Sequence, residues 1–306
     1  MDVQYDVIII GSGPAGLTAA VYATRANLKT LLFEAETPGG KLTKTYSIEN
    51  YPGFKSISGV DLAMQMMEHG TEFGAEIEYE PVERIEDHGE YKKVFGAYGN
   101  EYTAKAVIIA TGTKERTLDL PGSEELTGRG ISYCAVCDGA FYRNKDVVVV
   151  GGGNSALEEA LYLTQLVNKV YIVIRRDVFR ADATVVDKVK KNDKIEIITK
   201  SLPHALITDD NVLTGLEIEN VDNHELRVIS CSGIFPYIGA DASTEFVKDL
   251  GITDERGYIV VDKNMATAVE GIYAAGDVTV KDLRQVVTAT NDGAIAANSV
   301  ARYLNK

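Results

Sequence analysis

The strongest constraint on the fold is one pattern that occurs twice in the 306 residues. An apolar, β-branched run, Asp6–Ile10, leads directly into the glycine-rich stretch Gly11–Gly16, and apolar residues at helical spacing follow. The same order returns at Asp146–Val150 and Gly151–Ala156. A strand, a glycine-rich turn and a helix in this order begin a mononucleotide-binding βαβ unit. Two copies predict an α/β protein with two Rossmann-like, doubly wound nucleotide-binding domains.

The glycines of both loops are placed as phosphate binding requires. The first glycine forms the tight turn, the second lets the backbone approach a pyrophosphate, and the third lets helix and strand pack closely. The helix that follows offers free backbone N–H groups and the positive end of its dipole. A tight turn that binds nothing is the alternative, but the strand before and the helix after each loop favour a bound nucleotide.

The residue that ends the second strand of each unit predicts which nucleotide binds. Glu34 ends the first, and a carboxylate there accepts hydrogen bonds from a free ribose 2′-hydroxyl and repels a 2′-phosphate. Arg175 and Arg176 end the second, with Arg180 close behind, and guanidinium groups bind a 2′-phosphate through charge-assisted hydrogen bonds. The first unit therefore suits FAD or NAD and the second suits NADPH, unless the arginines are only a solvated surface pair.

Two of the three cysteines, Cys134 and Cys137, form a C-x-x-C motif about ten residues ahead of the second unit. With no second pair and no histidine nearby, a zinc site is not expected, and such a motif beside a βαβ pattern indicates redox chemistry. Asp138 follows directly and could donate or accept a proton. Cys231 lies in an apolar run, Val228–Phe235, read as one strand, and is expected to be a core residue.

Composition excludes several other classes of protein. The net charge of −14 argues against non-specific nucleic-acid binding, which requires a basic face. No apolar run approaches the roughly 20 residues that span a bilayer, and the N-terminus does not resemble a signal peptide. A cytosolic enzyme of two domains is therefore expected.

Taken together, the motifs resemble the low-molecular-weight thioredoxin reductases of bacterial type, over nearly the whole chain. The matching stretches are Gly11–Gly16, Gly39–Leu42, Glu49–Gly53, Ala110–Gly112, Cys134–Gly139 with Phe141 and Tyr142, Gly151–Glu159, Arg175–Asp177 with Arg180, Gly276–Asp277, and Arg284–Gln285. The resemblance implies an FAD-binding domain built from residues 1–114 and 243–306. It implies an inserted domain, residues 115–242, that binds NADPH and carries the cysteines, and a homodimer that reduces thioredoxin.

The resemblance also implies a set of site residues. Cys137 would face the flavin, Cys134 would attack the partner disulfide, and Asp277 would accept a hydrogen bond from the ribityl chain. The residues expected to hold FAD are Gly11, Ser12, Gly13, Ala15, Gly16, Glu34, Gly39, Gly40, Lys41, Leu42, Asn50, Thr111, Gly112, Asp277, Arg284, Gln285 and Val286. Those expected to hold NADPH are Gly151, Gly153, Asn154, Ser155, Ala156, Arg175, Arg176 and Arg180. The chain departs from the family at Lys41, where Gln is usual, and at Ile174, where His is usual.

Other functions fit the residues less well. A ferredoxin–NADP reductase or a nucleotide-binding sensor needs no cysteine pair, and a glutathione-reductase-like enzyme carries its disulfide near the first loop. A related reductase that uses another electron donor remains an alternative. Arg129, Phe141 and Tyr142 flank the cysteines and are expected to form the docking surface for thioredoxin. Because nicotinamide and disulfide must both reach one flavin, the inserted domain is expected to rotate during turnover.

Overall fold

The computed structural model describes residues 3–305, and the chain divides there into two compact units. Unit 1 runs to Lys114 and resumes at Asp241, and unit 2 spans Glu115–Ala240. Elements are numbered in chain order. The chain crosses from one unit to the other in two short strands, β7 (Thr113–Glu115) and β15 (Ala240–Ala242), which pair with each other.

Unit 1 is built on a seven-stranded sheet in the order β3-β2-β1-β6-β5-β4, with β16 also paired to β6. Strands β1, β2, β3, β6 and β16 are parallel, whereas β4 and β5 are antiparallel to their neighbours. The long strand β6 therefore pairs with β5 along its first half and with β16 along its second. The strands are β1 (Tyr5–Ile10), β2 (Thr30–Phe33), β3 (Glu76–Glu78), β4 (Val82–Asp87), β5 (Lys92–Gly96), β6 (Glu101–Ile109) and β16 (Ile272–Ala274).

Helices pack on this sheet because its central strands are apolar on both faces. Ile8 and Ile9 are both fully buried although their side chains point to opposite sides of β1. Asn27, just after the first helix, has a left-handed conformation with φ of 61°, which is common at the C-terminal ends of helices. The helices are α1 (Pro14–Arg25), α2 (Gly59–Glu72) and α7 (Val286–Leu304), and 3-10 turns span Gly40–Lys44, Glu245–Leu250 and Gly276–Val278.

Unit 2 contains a four-stranded parallel sheet in the order β10-β9-β8-β14, together with an antiparallel sheet in the order β11-β12-β13. The strands are β8 (Asp146–Val150), β9 (Lys169–Val173), β10 (Ile195–Ile198), β11 (Ser201–Asp209), β12 (Val212–Asn220), β13 (Leu226–Ser230) and β14 (Gly233–Pro236). The helices are α3 (Ser123–Leu126), α4 (Ala135–Asp138), α5 (Asn154–Leu163) and α6 (Ala183–Lys190), and a 3-10 turn spans Gly139–Tyr142. The prediction of two Rossmann-like domains is confirmed.

One sequence-based element is wrong. The apolar run Val228–Phe235 is not a single strand, because it is divided between β13 of the antiparallel sheet and β14 of the parallel sheet. The chain turns at Cys231 and Ser232, whose backbone N–H groups bond to Thr214 and Asp146. Cys231 itself is a buried free thiol, as expected. Within residues 3–305, no helix has the length and apolar character to cross a membrane.

Candidate active site

The first glycine loop joins β1 to α1 and leaves space at its centre. A Cβ at Gly16 would lie 1.8 Å from the carbonyl oxygen of Gly11, so this position requires close contact between helix and turn. A Cβ at Gly13, by contrast, would meet nothing within 4 Å. Gly13 also stands at the start of α1, where no side chain caps the helix. The first N–H groups of α1 therefore face open space that a phosphate can enter.

Glu34 lies beside this loop and is already hydrogen-bonded. Its Oε2 accepts bonds from the backbone N–H of Ser12, at 3.1 Å, and from the Ser12 hydroxyl, and its Oε1 accepts the Glu36 N–H at 2.7 Å. The carboxylate is buried, with 8% of the residue exposed. Since a carboxylate offers about four acceptor positions, one on Oε1 remains for a ribose hydroxyl.

The segment Gly39–Leu42 lies against the same loop. The Gly39 N–H donates to the Ser12 carbonyl at 2.8 Å, and a Cβ at Gly40 would lie 3.5 Å from the Cα of Gly13. Gly39 has φ of 101°, a conformation that favours glycine, and it lets the chain turn into the 3-10 helix. The two stretches predicted to bind FAD near the N-terminus are therefore neighbours in the fold.

Asp277 provides an acceptor at the carboxyl end of the sheet. It follows β16, and among residues 3–305 no hydrogen-bond donor reaches its side chain. Burial raises the pKa of this carboxyl, while the nearby charges of Lys41, Lys281 and Arg284 oppose the rise. The Lys41 ammonium also donates to the Thr113 hydroxyl at 2.6 Å. An unbonded carboxylate beside a lysine is suited to accept a hydroxyl of a bound ligand.

The other residues predicted at this site make contacts within unit 1. Arg284 donates from all three guanidinium nitrogens to the carbonyl oxygens of Asp277, Thr279 and Lys281, so it fixes the loop that carries Asp277. Gln285 begins α7 with a capping box and accepts the Asn50 amide at 3.0 Å. Val286 packs with Leu42, and the Thr111 hydroxyl donates to the carbonyl of Ser243.

The second glycine loop, between β8 and α5, repeats the first in its main features. A Cβ at Gly153 would again meet nothing within 4 Å, and no side chain caps α5. Gly151, with φ of 140°, lies so close to the carbonyl oxygen of Tyr237 that a Cβ would approach it to 2.3 Å. Asn154 is tied to Asp182 by two hydrogen bonds, of 3.1 and 2.7 Å. The loop therefore presents a second uncapped helix start.

Three arginines lie near this second loop with free guanidinium groups. Arg175, Arg176 and Arg180 are exposed, and no carboxylate among residues 3–305 pairs with any of them. The backbone N–H of Arg180 donates to the carbonyl of Gly152 at 2.8 Å, which places this residue directly beside the loop. Unpaired arginines and a free helix N-terminus are both groups that attract a strongly anionic ligand.

Cys134 and Cys137 are joined by a disulfide across the single turn of α4. Cys134 precedes the helix and its sulfur accepts the Cys137 N–H at 3.1 Å. Cys134 is 9% exposed, whereas Cys137 lies on the surface. The pair is therefore a local, accessible disulfide that can open with little change in the backbone.

A hydrogen-bond network supports the disulfide. The Ser132 hydroxyl donates to the Asp138 carboxylate at 2.7 Å and accepts the backbone N–H of Cys134 at 3.1 Å. The backbone N–H of Ala135, the first residue of α4, donates to the phenol oxygen of Tyr237 at 3.2 Å. The Asp138 carboxylate is thus held in place at the end of the cysteine helix by the Ser132 hydroxyl.

Of the three residues expected to form a docking surface, two are exposed and one is buried. Phe141 is 75% exposed, and Arg129 is also on the surface. Tyr142 is only 8% exposed and packs edge-on against Phe235 in the core of unit 2. The assignment of Tyr142 to the surface is therefore wrong, because the 3-10 turn directs successive side chains to different sides.

Sequence reasoning gave no role to Glu159 and Tyr237. Glu159 is buried on α5, and one of its oxygens, Oε2, has no hydrogen-bond partner among residues 3–305. Tyr237 follows β14 and contacts both the second glycine loop and the cysteine helix. A signal for Glu159 was present in the sequence, because it interrupts the apolar face that Ala156, Ala160 and Leu163 form at helical spacing.

Comparisons with known proteins agree with this arrangement. The family model of the pyridine nucleotide-disulphide oxidoreductases matches residues 5–293. The chain is 46% identical over 302 residues to the thioredoxin reductase of Listeria monocytogenes serovar 1/2a, covering 99% of this chain and 94% of that protein. It is 47% identical over 302 residues to the thioredoxin reductase of Bacillus subtilis strain 168, covering 99% and 95%.

A solved structure matches equally broadly. The crystal structure of Lactococcus lactis thioredoxin reductase, in the conformation designated FR, matches with a TM-score of 0.97 at 48% identity, covering 99% of each chain. Matches of this identity and coverage extend through both glycine loops and the cysteine pair. The chain therefore belongs to the pyridine nucleotide-disulphide oxidoreductase family, in its low-molecular-weight bacterial branch.

Proposed function

We propose that this protein is a thioredoxin-disulfide reductase that carries two electrons from NADPH, through FAD and the cysteine pair, to a disulfide of thioredoxin. The observation that carries the proposal is the Cys134–Cys137 disulfide on a single helical turn, in the same unit as a nucleotide-type glycine loop. The activity named for the Listeria, Bacillus and Lactococcus relatives supports it.

Unit 1 has the features that FAD requires. The space at Gly13 and the uncapped start of α1 fit the pyrophosphate, and the remaining acceptor position of Glu34 fits the ribose of the adenosine half. The unbonded carboxylate of Asp277 fits a ribityl hydroxyl. When bound, the flavin supplies a carrier that takes a hydride equivalent from a nicotinamide and gives two electrons to a disulfide.

Unit 2 has the features that NADPH requires. The uncapped start of α5 fits its pyrophosphate, and the free guanidinium groups of Arg175, Arg176 and Arg180 fit its 2′-phosphate. NADH lacks that phosphate and gains nothing from the arginines. We therefore propose NADPH as the electron donor, although Ile174 stands where the family usually has histidine.

The cysteines carry out thiol–disulfide exchange with the partner. Reduction by two electrons and one proton opens the Cys134–Cys137 bond and leaves one thiolate and one thiol. The Cys134 thiolate then attacks one sulfur of the thioredoxin disulfide, forms a mixed disulfide and expels the other partner sulfur as a thiolate. Cys137 attacks Cys134 in turn, which restores the enzyme disulfide and releases the second partner thiolate. Thioredoxin leaves as a dithiol after it takes up two protons.

Asp138 is the group placed to move a proton in this sequence. It follows Cys137 directly, and the Ser132 hydroxyl fixes its carboxylate at 2.7 Å. A carboxylate in that position takes the proton of a thiol as it ionises and returns it to a departing thiolate. We expect Ser132 to orient Asp138 toward the sulfurs.

We propose that thioredoxin docks around the exposed end of the cysteine helix. Phe141 is a large apolar side chain with 75% of its surface exposed, and Arg129 lies nearby in sequence and is also exposed. Aromatic and arginine side chains are both enriched at protein interfaces relative to the rest of the surface. A homodimer, as in the family, completes the proposal.

The proposal is tested with the purified protein under anaerobic conditions. We expect a yellow protein whose flavin absorbance is bleached by NADPH, far more slowly by NADH, and restored by oxidised thioredoxin. A colourless protein that releases no flavin on denaturation contradicts the cofactor. A bleached protein that thioredoxin cannot reoxidise contradicts the substrate. Sedimentation equilibrium of the same sample tests the dimer.

The roles of the two cysteines are tested by trapping the intermediate with thioredoxin. Cys137→Ser removes the sulfur that resolves the mixed disulfide, so Cys134 should hold the partner covalently. Cys134→Ser removes the attacking sulfur and should not. Non-reducing electrophoresis and mass spectrometry identify the adduct, and trapping by the Cys134→Ser variant alone would exchange the two roles.

A further inference from the structure

A buried ion pair of unit 1 has no part in the chemistry described so far. Asp292 lies in the second turn of α7, and its carboxylate pairs with the Lys281 ammonium. Both side chains are largely removed from solvent, with 8% of Asp292 and 15% of Lys281 exposed. Burying a charge is costly unless it is paired and hydrogen-bonded, so the presence of this pair calls for an explanation.

The Asp292 carboxylate holds both ends of one loop. This segment, the Asp277 loop, consists of residues 276–281 and follows β16. Oδ2 of Asp292 accepts the backbone N–H of Gly276, the first residue of the loop, at 3.1 Å. The same oxygen accepts the ammonium of Lys281, the last residue of the loop. One carboxylate oxygen therefore closes the Asp277 loop into a ring.

The first residue of the loop is also fixed against the start of α1. Gly276 has φ of 80°, a left-handed conformation that favours glycine, and a Cβ there would lie 2.8 Å from the Cβ of Ala15. Ala15 is the second residue of α1, directly after the first glycine loop has turned. Asp292 therefore ties the loop at the point where it contacts α1, one residue before Asp277.

The carbonyl groups of the loop have a different partner. The Arg284 guanidinium accounts for the carbonyl oxygens of Asp277, Thr279 and Lys281. A cation thus holds the carbonyls of the loop, while an anion, Asp292, holds its first N–H and its last side chain. None of these bonds uses the carboxylate of Asp277, so the loop is fixed on both sides of a group that is left available to a ligand.

We propose that Asp292 and Lys281 are positioning residues for the flavin: by closing the Asp277 loop, they hold the Asp277 carboxylate in place before FAD binds. A ribityl hydroxyl then meets an acceptor that is already oriented, and binding does not have to order the loop. This inference deepens the proposed function and rests on the role given there to Asp277.

The test is a double-mutant cycle on the affinity for FAD. Asp292→Asn keeps the shape of the side chain and removes the charge that holds Lys281, and Asp277→Ala removes the acceptor that the loop presents. Both single variants and the double variant are prepared as full-length holoenzymes. Ultrafiltration at a series of dilutions, with free FAD measured by fluorescence, gives Kd for each protein. Asp282→Asn, which removes the charge of an exposed carboxylate just after the loop, is the matched control.

We expect Asp292→Asn alone to weaken FAD binding by about 10-fold, the effect of impairing one charged hydrogen bond. In the Asp277→Ala background the same change should alter Kd by less than about 2-fold, because no acceptor is left to position. Asp282→Asn should leave Kd unchanged in both backgrounds.

Two outcomes of the cycle contradict the inference in distinguishable ways. Loss of affinity by the same factor in both backgrounds would mean that Asp292 has a merely structural role, while the proposed contact of Asp277 with FAD stands. An Asp277→Ala protein that binds FAD as tightly as its parent would refute the proposed role of Asp277, and the positioning of that carboxylate with it.

Lys281→Met provides a second measurement that does not depend on Asp292→Asn being folded. It opens the ring at the more exposed of the two side chains and leaves the bond from Gly276 to Asp292 possible. Hydrogen exchange of the holoenzyme at saturating FAD, read by mass spectrometry, should then be about 10-fold faster in residues 276–281. Asp282→Asn should exchange like the parent. Unchanged exchange in Lys281→Met would show that the ion pair does not hold the loop and would overturn the proposal.

Discussion

The two glycine loops share one local geometry but differ in how the chain supports the residue that selects the nucleotide. Glu34, at the end of β2, is buried and accepts three hydrogen bonds from Ser12 and Glu36. Arg175 and Arg176, just after β9, are exposed and pair with no carboxylate among residues 3–305. The group proposed to recognise the nucleotide in unit 1 is therefore also part of the fold, whereas the arginines proposed for that role in unit 2 are not. In the same βαβ unit, the residue at this position can thus either stabilise the domain, as Glu34 does, or make no contact that stabilises it.

The largest expected effect comes from filling the space at the centre of each glycine loop with a side chain. Gly13 and Gly153 have extended backbone that any residue adopts, and a Cβ at either position meets no atom within 4 Å, so we expect Val there to leave the fold intact. Gly13→Val should yield protein without flavin, because the side chain fills the space of the pyrophosphate. Gly153→Val should keep its flavin and lose reduction by NADPH. The flavin absorbance of each purified variant, before and after NADPH, gives the answer; flavin retained in Gly13→Val would remove the loop from the FAD site.

The next effect separates recognition from stability in unit 2. Replacing both Arg175 and Arg176 by Ala removes two charged hydrogen bonds, each worth about 1.5–3 kcal/mol, so KM for NADPH should rise about 100-fold or more. KM for NADH and the free energy of unfolding should stay nearly constant, because the side chains are exposed and unpaired. Steady-state kinetics with both donors and urea denaturation measure the three quantities. Equal changes in both KM values would contradict the assignment of the arginines to a 2′-phosphate.

The corresponding change in unit 1 should affect both properties. Glu34→Gln keeps the size of the side chain but directs an amide at donors that now bond to a carboxylate. We expect the free energy of unfolding to fall by about 1–3 kcal/mol and flavin affinity to weaken by about 10-fold. Denaturation and flavin titration of the same preparation measure both effects. A stable variant that has lost only flavin affinity would erase the contrast between the two units.

The smallest effect concerns Lys41. Its charge lowers the pKa of Asp277, which burial raises, so Lys41→Gln should let Asp277 become protonated at a higher pH. Loss of the carboxylate charge weakens a bond to a ribityl hydroxyl, so acid-induced flavin release should begin up to about one pH unit higher. Fluorescence of released flavin during acidification records the shift. Lys55→Gln, at an exposed lysine that does not act on Asp277, should leave the curve unchanged, and coincident curves for Lys41→Gln and the parent would exclude the interaction.

The sequence predicted what depends on local pattern. The glycine loops and the C-x-x-C motif are short, and their geometry follows from adjacent residues, so the loops, the helices after them and the disulfide were all expected. Tyr142 was misplaced because neighbouring sequence does not tell which side of a 3-10 turn packs on Phe235. The division of the run Val228–Phe235 into two strands depends on distant partners in β12 and β8.

The contacts that tie the candidate site together are the least local of all. Ala135 and Tyr237 are 102 residues apart in sequence, and Asn50 and Gln285 are 235 apart. No sequence motif indicates either contact, because each bond forms only when whole helices and strands pack together. The free oxygen of Glu159 likewise becomes visible only when every neighbour is in place.

The insertion of unit 2 between β7 and β15 has a consequence for synthesis on the ribosome. Unit 2 is continuous in sequence, so all of its strands have been synthesised before β16 and α7 of unit 1 are made. Unit 1 must wait, because β16 pairs with the C-terminal half of β6, and α7 packs so closely on α1 that a Cβ at Gly293 would lie 2.1 Å from the Ala15 carbonyl oxygen. The domain that starts first is therefore finished last, and nascent chains halted after unit 2 has left the ribosome, but before α7 has, should hold a folded middle domain beside an N-terminal half that still exposes the apolar surface reserved for its last strand and helix.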